Sequence, residues 1–361
     1  MKLKLHTDFD LLSLGVPDSL LIPFVGNDNE EYSEGRLYAH TYDEYCRVGA
    51  EYIELTTIEE CDACLFPIYY NPLWISAGYP DIRIQKFIDF VKNSQKKLLI
   101  FLGHDVPVVE VNIPNAIVFS GAINKSTQAS NVYSYPHFFA DLLTYNKTPF
   151  VARPKSGLPV VGFCGYAPPL EIKLSKEKAV SFLKLTANYL GIMKLFPDKI
   201  AHSYRARAVI GLGKSKGILT NFRIKSNFAF GPTGQLNTGN TTESDVEFRR
   251  NFINNIIESD YTLCIRGIGN NSIRFFETIC CGRIPVFVNT DSVLPFDHII
   301  DWKRLCVWVE EKDVDNIDKV VIEFHNSISN KDFISRQNEL RKIWEEYFSP
   351  VGFYKNLKLF L

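Results

Sequence analysis

The stretch Tyr261–Trp302, YTLCIRGIGNNSIRFFETICCGRIPVFVNTDSVLPFDHIIDW, decides the fold. A short apolar run at Tyr261–Arg266 passes through a glycine-bearing loop, Gly267–Asn271, into a helix over Ser272–Cys281. A second apolar run, Ile284–Asn289, follows, so the whole reads as a βαβ unit with parallel strands. Gly282 suits the helix end and Pro285 the opening of the next strand. The first strand delivers Arg266 to its carboxyl end, and the first helical turn holds Ser272 and Arg274. Free N–H groups and the positive end of the helix dipole make that turn a natural anion site. Arg266 and Arg274 add guanidinium forks that match a diphosphate, with Asn271 on the same loop. Glu277, one turn beyond Arg274, can accept two hydroxyl hydrogen bonds from a ribose. Diphosphate plus ribose means a nucleotide. The plainer alternative is an ordinary βαβ unit in which Arg266 and Glu277 form an internal ion pair.

Similar alternation runs outward from this unit. Upstream, strands are expected at Ser19–Val25, Ala63–Tyr69, Lys97–Leu102 and Ala116–Ser120, with a helix at Asp81–Asn93. The Pro/Gly/basic stretch Pro149–Pro159 suits a linker. Beyond it come a buried strand at Val160–Cys164 and helices near Lys176–Lys194 and Ser244–Ser259, the latter with Ser244 and Glu247 spaced as a capping box. A polar helix at Asp332–Tyr347 closes the chain. The expected fold is α/β, with two Rossmann-like doubly wound domains facing across a cleft. Residues 1–155 form the first domain, 156–330 the second, and 331–361 a helical segment that can cross back to the first.

With 361 residues, the chain is long enough for two cores. Forty Lys and Arg against forty-one Asp and Glu leave no bulk positive field, so nucleic acid is not an expected partner. No apolar run is long enough for a membrane-spanning helix, and Asp8 and Asp10 interrupt the start where a signal peptide would be apolar. Eight cysteines lack a disulfide rhythm, and Cys61-Asp-Ala-Cys64 has no second pair to complete a zinc site. The expectation is a set of reduced thiols in a cytoplasmic protein without a transmembrane segment, in peripheral contact at most with the inner face of the membrane.

Three local patterns are decoys. Gly213-Lys214-Ser215 ends a near-miss P-loop whose first glycine is replaced by Ala208. Gly211-Leu-Gly213 fails the dinucleotide fingerprint because Lys216 stands where glycine is needed. Asp313-Val-Asp315 resembles a metal-binding carboxylate pair but sits in a charged run that reads as a solvated helix start.

The elements Arg266-Gly267, Ser272, Arg274-Phe275, Glu277, Gly282–Val286, Leu294-Pro-Phe296 and Ile300-Asp-Trp302 resemble, in order, the signature of exostosin-type glycosyltransferases, glycosyltransferase family 47. Ala63-Cys-Leu-Phe-Pro67 is a weaker echo of the family's first domain, with its proline one place early. The resemblance implies a GT-B fold with the donor on the second domain and the acceptor on the first. It also implies an inverting, metal-independent transferase that takes a UDP-sugar to a glycan or polysaccharide hydroxyl, with no cofactor. A further family arginine matches Ser203-Tyr-Arg205-Ala-Arg207, in either register.

Inversion needs a base for the acceptor hydroxyl. The loop after Lys97–Leu102 offers Asp105 first and His104 second, while Asp297 is a third candidate or a donor-sugar contact. Tyr69, Tyr70, Trp74, Tyr133 and Tyr135 are candidate sugar-stacking aromatics. The resemblance implies a luminal enzyme with an N-terminal membrane helix in animals; departure from that pattern leads to the expectation of a cytosolic bacterial or viral enzyme, and the sequon Asn270-Asn-Ser272 inside the donor site supports it. The alternatives are a GT-B-like protein that binds a sugar nucleotide without turnover and, less favoured, a P-loop NTPase.

Overall fold

The computed structural model describes residues 2–26, 40–103, 111–167, 197–225 and 245–361. The βαβ unit forms as read: β9 spans Tyr261–Cys264, a helix spans Ile273–Cys280 with Ser272 as its extended N-cap, and β10 spans Ile284–Asn289. Gly282 adopts φ +61, and a Cβ there would fall 2.2 Å from Phe150 and 3.1 Å from the Gln337 carbonyl. Only glycine fits this helix exit.

Two all-parallel sheets result. The first runs in the order β2-β1-β3-β4-β5-β6 and the second in the order β11-β10-β9-β7-β8. In the first, β1 is Leu3–His6, β2 Ile53–Leu55, β3 Ala63–Leu65, β4 Leu98–Leu102, β5 Ala116–Ser120 and β6 Val132–Ser134. In the second, β7 is Val160–Tyr166, β8 Leu219–Lys225 and β11 Val307–Glu310. The main helices are α1 (Asp43–Tyr52), α2 (Ile82–Ser94), α3 (Pro197–Lys214), α4 (Asp245–Ile257), α5 (Ile273–Cys280), α6 (Ile317–Ser327), α7 (Asn330–Ile343) and α8 (Pro350–Asn356). This α/β architecture is consistent with a two-domain GT-B arrangement. Strands buried on both faces explain why β4, β5, β9 and β10 read as continuous apolar runs. Among the described residues no helix is long and apolar enough to cross a membrane.

Several expectations are corrected. Ser19–Val25 is not a strand: the Asp18 carboxylate accepts the Leu20 N–H at 2.8 Å, and Pro23 sits in the first turn of a short helix, Ile22–Val25. An Asx turn followed by proline starts a helix, and the apolar run is buried there rather than in a sheet. β3 stops at Leu65, two residues before Pro67, and Ile68 then forms an isolated antiparallel bridge with Pro17. The polar helix ends at Ile343, followed by a π-turn, Trp344–Phe348. The helix expected at Lys176–Lys194 and the capping residue Ser244 lie outside the described residues. Pro149–Pro159 is no slack tether. Gln337 of α7 accepts the Arg153 N–H at 3.0 Å and donates to its carbonyl at 2.8 Å, and Asn330 accepts the Lys155 N–H at 2.7 Å.

The chain's last helices join both sheets. Arg341 of α7 forms a fork with Asp141 at 3.1 and 2.7 Å and also donates to the Cys280 carbonyl at 2.6 Å. Phe360 packs its ring 5.0 Å from Phe119 of β5 and 5.1 Å from Tyr133 of β6.

Asp18 lies fully buried with Oδ2 unpartnered, and burial pushes its carboxyl up to about 8. The folded state therefore keeps a proton that the unfolded chain releases near pH 4, so this group's contribution to stability falls as pH rises from about 4 to 8. Asp18→Asn keeps the acceptor for Leu20 and cannot ionise. Its melting temperature should exceed that of the wild type by several degrees at pH 8, a gap that narrows towards pH 5 in parallel melts.

Candidate functional site

The carboxyl edge of the second sheet gathers three arginines from three elements. Arg266 leaves β9 and turns its guanidinium back on its own loop, donating to the Ile268 carbonyl at 3.0 Å. The loop is closed by the Gly267 N–H donating to the Asn271 carbonyl at 3.0 Å. Arg205 of α3 donates to the Arg266 carbonyl at 3.1 Å, and Arg274 of α5 donates to the Cys164 carbonyl at the end of β7 at 2.5 Å. Arg274 lies over the Phe163 ring at 4.6 Å and near the Phe252 ring at 5.5 Å. Gly165 has φ +152, and a Cβ there would come within 2.9 Å of Arg274 Nη2, so this glycine admits the guanidinium.

Among the described residues, no carboxylate forms an ion pair with any of the three. The Nε atoms of Arg205 and Arg274 are buried without a hydrogen-bond partner. Burial and then the neighbouring Arg274 charge pull Arg205 down to about 10, and burial also lowers Arg266. Desolvated like charges beside empty donors are costly, and a bound anion would relieve both costs. The arrangement can hold a multiply charged oxyanion against the first turn of α5.

The other sequence candidates separate. Arg207 instead forms a fork with Asp315 at 2.7 Å on both arms. Two residues turn a helix by about 200°, so Arg205 and Arg207 cannot face the same way. Glu277 pairs with Arg249 of α4 at 2.7 Å and is 5% exposed, so its ion-pair partner is Arg249 rather than Arg266. Ser272 is buried at the N-cap, its carbonyl accepting the Phe275 N–H at 2.9 Å. Asp297 pairs with Lys125 at 3.0 Å and helps line a hollow of about 600 Å³ with Asp291, His298 and Trp308. Asp105 and His104 lie outside the described residues. Tyr70 and Tyr135 belong to the core, Tyr69 bonds Ser19 at 2.5 Å, Tyr133 packs on Phe360, and Trp74 sits edge-on to Tyr70 at 5.2 Å.

The decoys resolve as well. Residues 208–214 lie within α3, where no P-loop can form, and Asp315 is held by Arg207. Cys61 and Cys64 are buried free thiols, and no three His, Cys, Asp or Glu side chains converge as a metal site among the described residues.

A polar seam joins the two sheets beside the cluster. Asn270 is fully buried and uses both amide hydrogens, donating to Asn124 Oδ1 at 2.6 Å and the Thr290 carbonyl at 2.8 Å. Its oxygen accepts from Thr290 at 2.7 Å and Ser292 at 3.0 Å. The sequon asparagine is thus saturated in the fold. Asp291, at φ +63, accepts from the Ser126 N–H at 3.1 Å and hydroxyl at 2.5 Å. Asn271 donates to the Gly121 carbonyl and to His137 Nε2, the latter at 2.9 Å. Sequence reasoning passed over Arg249, Gly165 and His137. Arg249, placed near the start of a helix, carried a weak signal, whereas the other two acquire meaning only through long-range contacts.

An α/β architecture of two parallel sheets, with an arginine cluster at the carboxyl edge of the second, is the class these features define. Residues 218–324 match the family model of the exostosin GT47 domain, and the stretch 266–302 lies inside that match. Exostosin-1 of Drosophila melanogaster is 28% identical over 118 residues, covering 32% of this chain and 15% of the fly protein. The probable glucuronosyltransferase 47 A of Physcomitrium patens is 36% identical over 80 residues, 22% of this chain and 17% of its own length. Human Exostosin-2 is 26% identical over 94 residues, 26% of this chain and 12% of its own. The likeness to the exostosin GT47 domain thus covers residues 218–324, and the chain spans less than a fifth of the length of each of these relatives.

Pyrophosphate should raise the melting temperature of the wild-type protein. Arg205→Ala and Arg274→Ala should each weaken its binding about 10- to 100-fold, the range for a charge-assisted hydrogen bond. Arg207→Ala should bind it as the wild type does, a contrast that titration calorimetry can read. Glu277→Gln leaves Arg249 buried and uncompensated, so it should lower stability by about 3–5 kcal/mol with no nucleotide present, measured by urea unfolding.

Proposed function

We propose that the protein is an inverting glycosyltransferase that moves a sugar from a UDP-sugar to a hydroxyl of a glycan or polysaccharide. The observation that carries this reading is the cluster of Arg205, Arg266 and Arg274 beside the N-terminus of α5, with two buried unpartnered Nε atoms and, among the described residues, no carboxylate ion-paired to it. Breaking the bond between the anomeric carbon and the diphosphate places growing negative charge on the leaving oxygens. Groups fixed around those oxygens stabilise the transition state more than the ground state. Three guanidiniums supply this neutralisation without a metal ion, which is the basis for proposing a metal-independent reaction.

In this reading Asn271 and Ser272 add polar contacts to the diphosphate, Glu277 reaches the ribose beside Arg249, and Asp297 borders the donor sugar. Asp105 and then His104, at the exit of β4, are the base candidates by sequence position. The names of two relatives make glucuronic acid the first sugar to try. The cytoplasm, with peripheral contact at most at the inner face of the membrane, is the proposed place of work. The second reading, a sugar-nucleotide-binding protein without turnover, is favoured by the same cluster.

A thermal-shift screen against UDP-, GDP- and CDP-sugars, followed by UDP-release assays over an acceptor panel, separates the two. A UDP-sugar should stabilise best, since a ligand that binds only the native state raises its melting point. UDP release should persist in EDTA, and nuclear magnetic resonance of the product should show an inverted anomeric configuration. A preference for GDP-sugars, loss of turnover in EDTA, or retention of configuration would each overturn the corresponding part of the assignment.

A further inference from the structure

At the seam an imidazole from the first sheet's side reaches the loop that opens α5. His137 follows β6 by three residues, and its ring centroid lies 5.9 Å from that of Phe276 on α5. Its Nε2 stands 2.9 Å from Asn271 Nδ2, the same nitrogen that donates to the Gly121 carbonyl. A carbonyl can only accept, so the amide must turn its NH2 towards Gly121. That NH2 then also faces His137, whose Nε2 must accept. The His137 Nε2 lone pair is thus directed at the loop that opens α5, one residue from the Ser272 N-cap.

We propose that His137 is the general base of the transfer, an assignment that rests on the donor diphosphate occupying the arginine cluster. Asn271 is both the partner of Nε2 and a donor-side group. When the Asn271 amide turns to a phosphate oxygen, Nε2 exchanges that donor for the acceptor hydroxyl. The acceptor O–H proton passes to Nε2 while the oxygen forms its bond to the anomeric carbon. The carbon–oxygen bond to the diphosphate breaks with its electron pair, and the nucleoside diphosphate leaves into Arg205, Arg266 and Arg274. Donor binding thereby arms the base, which protects the sugar nucleotide from reaction before the site is complete.

His137→Gln tests this in the full chain, because glutamine can still accept from Asn271 but has no basic nitrogen. UDP affinity is read by calorimetry, and turnover by UDP release with the UDP-sugar and acceptor on which the wild type works. The expected result is a fall in turnover of about 10²- to 10⁴-fold, with the Kd for UDP within about threefold. His137→Ala should behave alike and regain part of its rate with added imidazole. Turnover by His137→Gln near the wild-type rate overturns the proposal, as does a loss of UDP affinity that matches the loss of rate. Abolition of turnover by Asp105→Asn beside an active His137→Gln would move the base to the exit of β4. A wild type that binds UDP but releases none from any pair would sink the transferase reading itself, a distinguishable failure.

Discussion

Cationic side chains gathered at one sheet edge, with no carboxylate ion-paired to them among the described residues, impose the main constraint on this protein. Arg205, Arg266 and Arg274 are each restrained by a backbone carbonyl, from Arg266, Ile268 and Cys164 respectively. A neutral dipole can orient a guanidinium but cannot cancel its charge. The cluster is set by where β7 and β9 end, where α5 begins and which face α3 turns inward, and hence by the whole second sheet. Gly165 shows how close the tolerance is, since a single methyl there would displace Arg274.

The seam gives this cluster its relation to the first sheet. Asn270 ties the exits of β9 and β10 to the exit of β5 with no bonding capacity left over, and Asp291 fastens the same loops through Ser126. On the other side of the molecule, Arg341 clasps Asp141 while Gln337 holds the connecting strap at Arg153. Two separate sets of contacts thus set the orientation of the sheets. Residues of the first sheet's loops, His137 among them, can then be placed against the Gly267–Asn271 loop to within a hydrogen bond.

Much of this was readable in one dimension. Parallel strands covered on both faces must be apolar throughout, so β4, β5, β9 and β10 stood out, and α2 and α5 showed clear helical signals. Short or half-polar strands such as β1 and β6 were harder, because their pairing comes from neighbours far along the chain. The error at Ser19–Val25 has a similar cause: an apolar run marks burial, and only the Asx turn and Pro23 decide that the buried chain coils.

Residue order alone determined the βαβ unit around Arg266 and Arg274, the α/β class and the likeness to the exostosin GT47 domain, because local periodicity and turn chemistry act over a few residues. Tertiary structure decided the rest. It chose Arg205 over Arg207 for the cluster, since helix rotation sends them to different faces, and it gave Glu277 to Arg249. It also brought His137 to Asn271 across 134 positions of sequence. Charge pairing and hydrogen bonding depend on separation in space, and only the folded chain sets that separation.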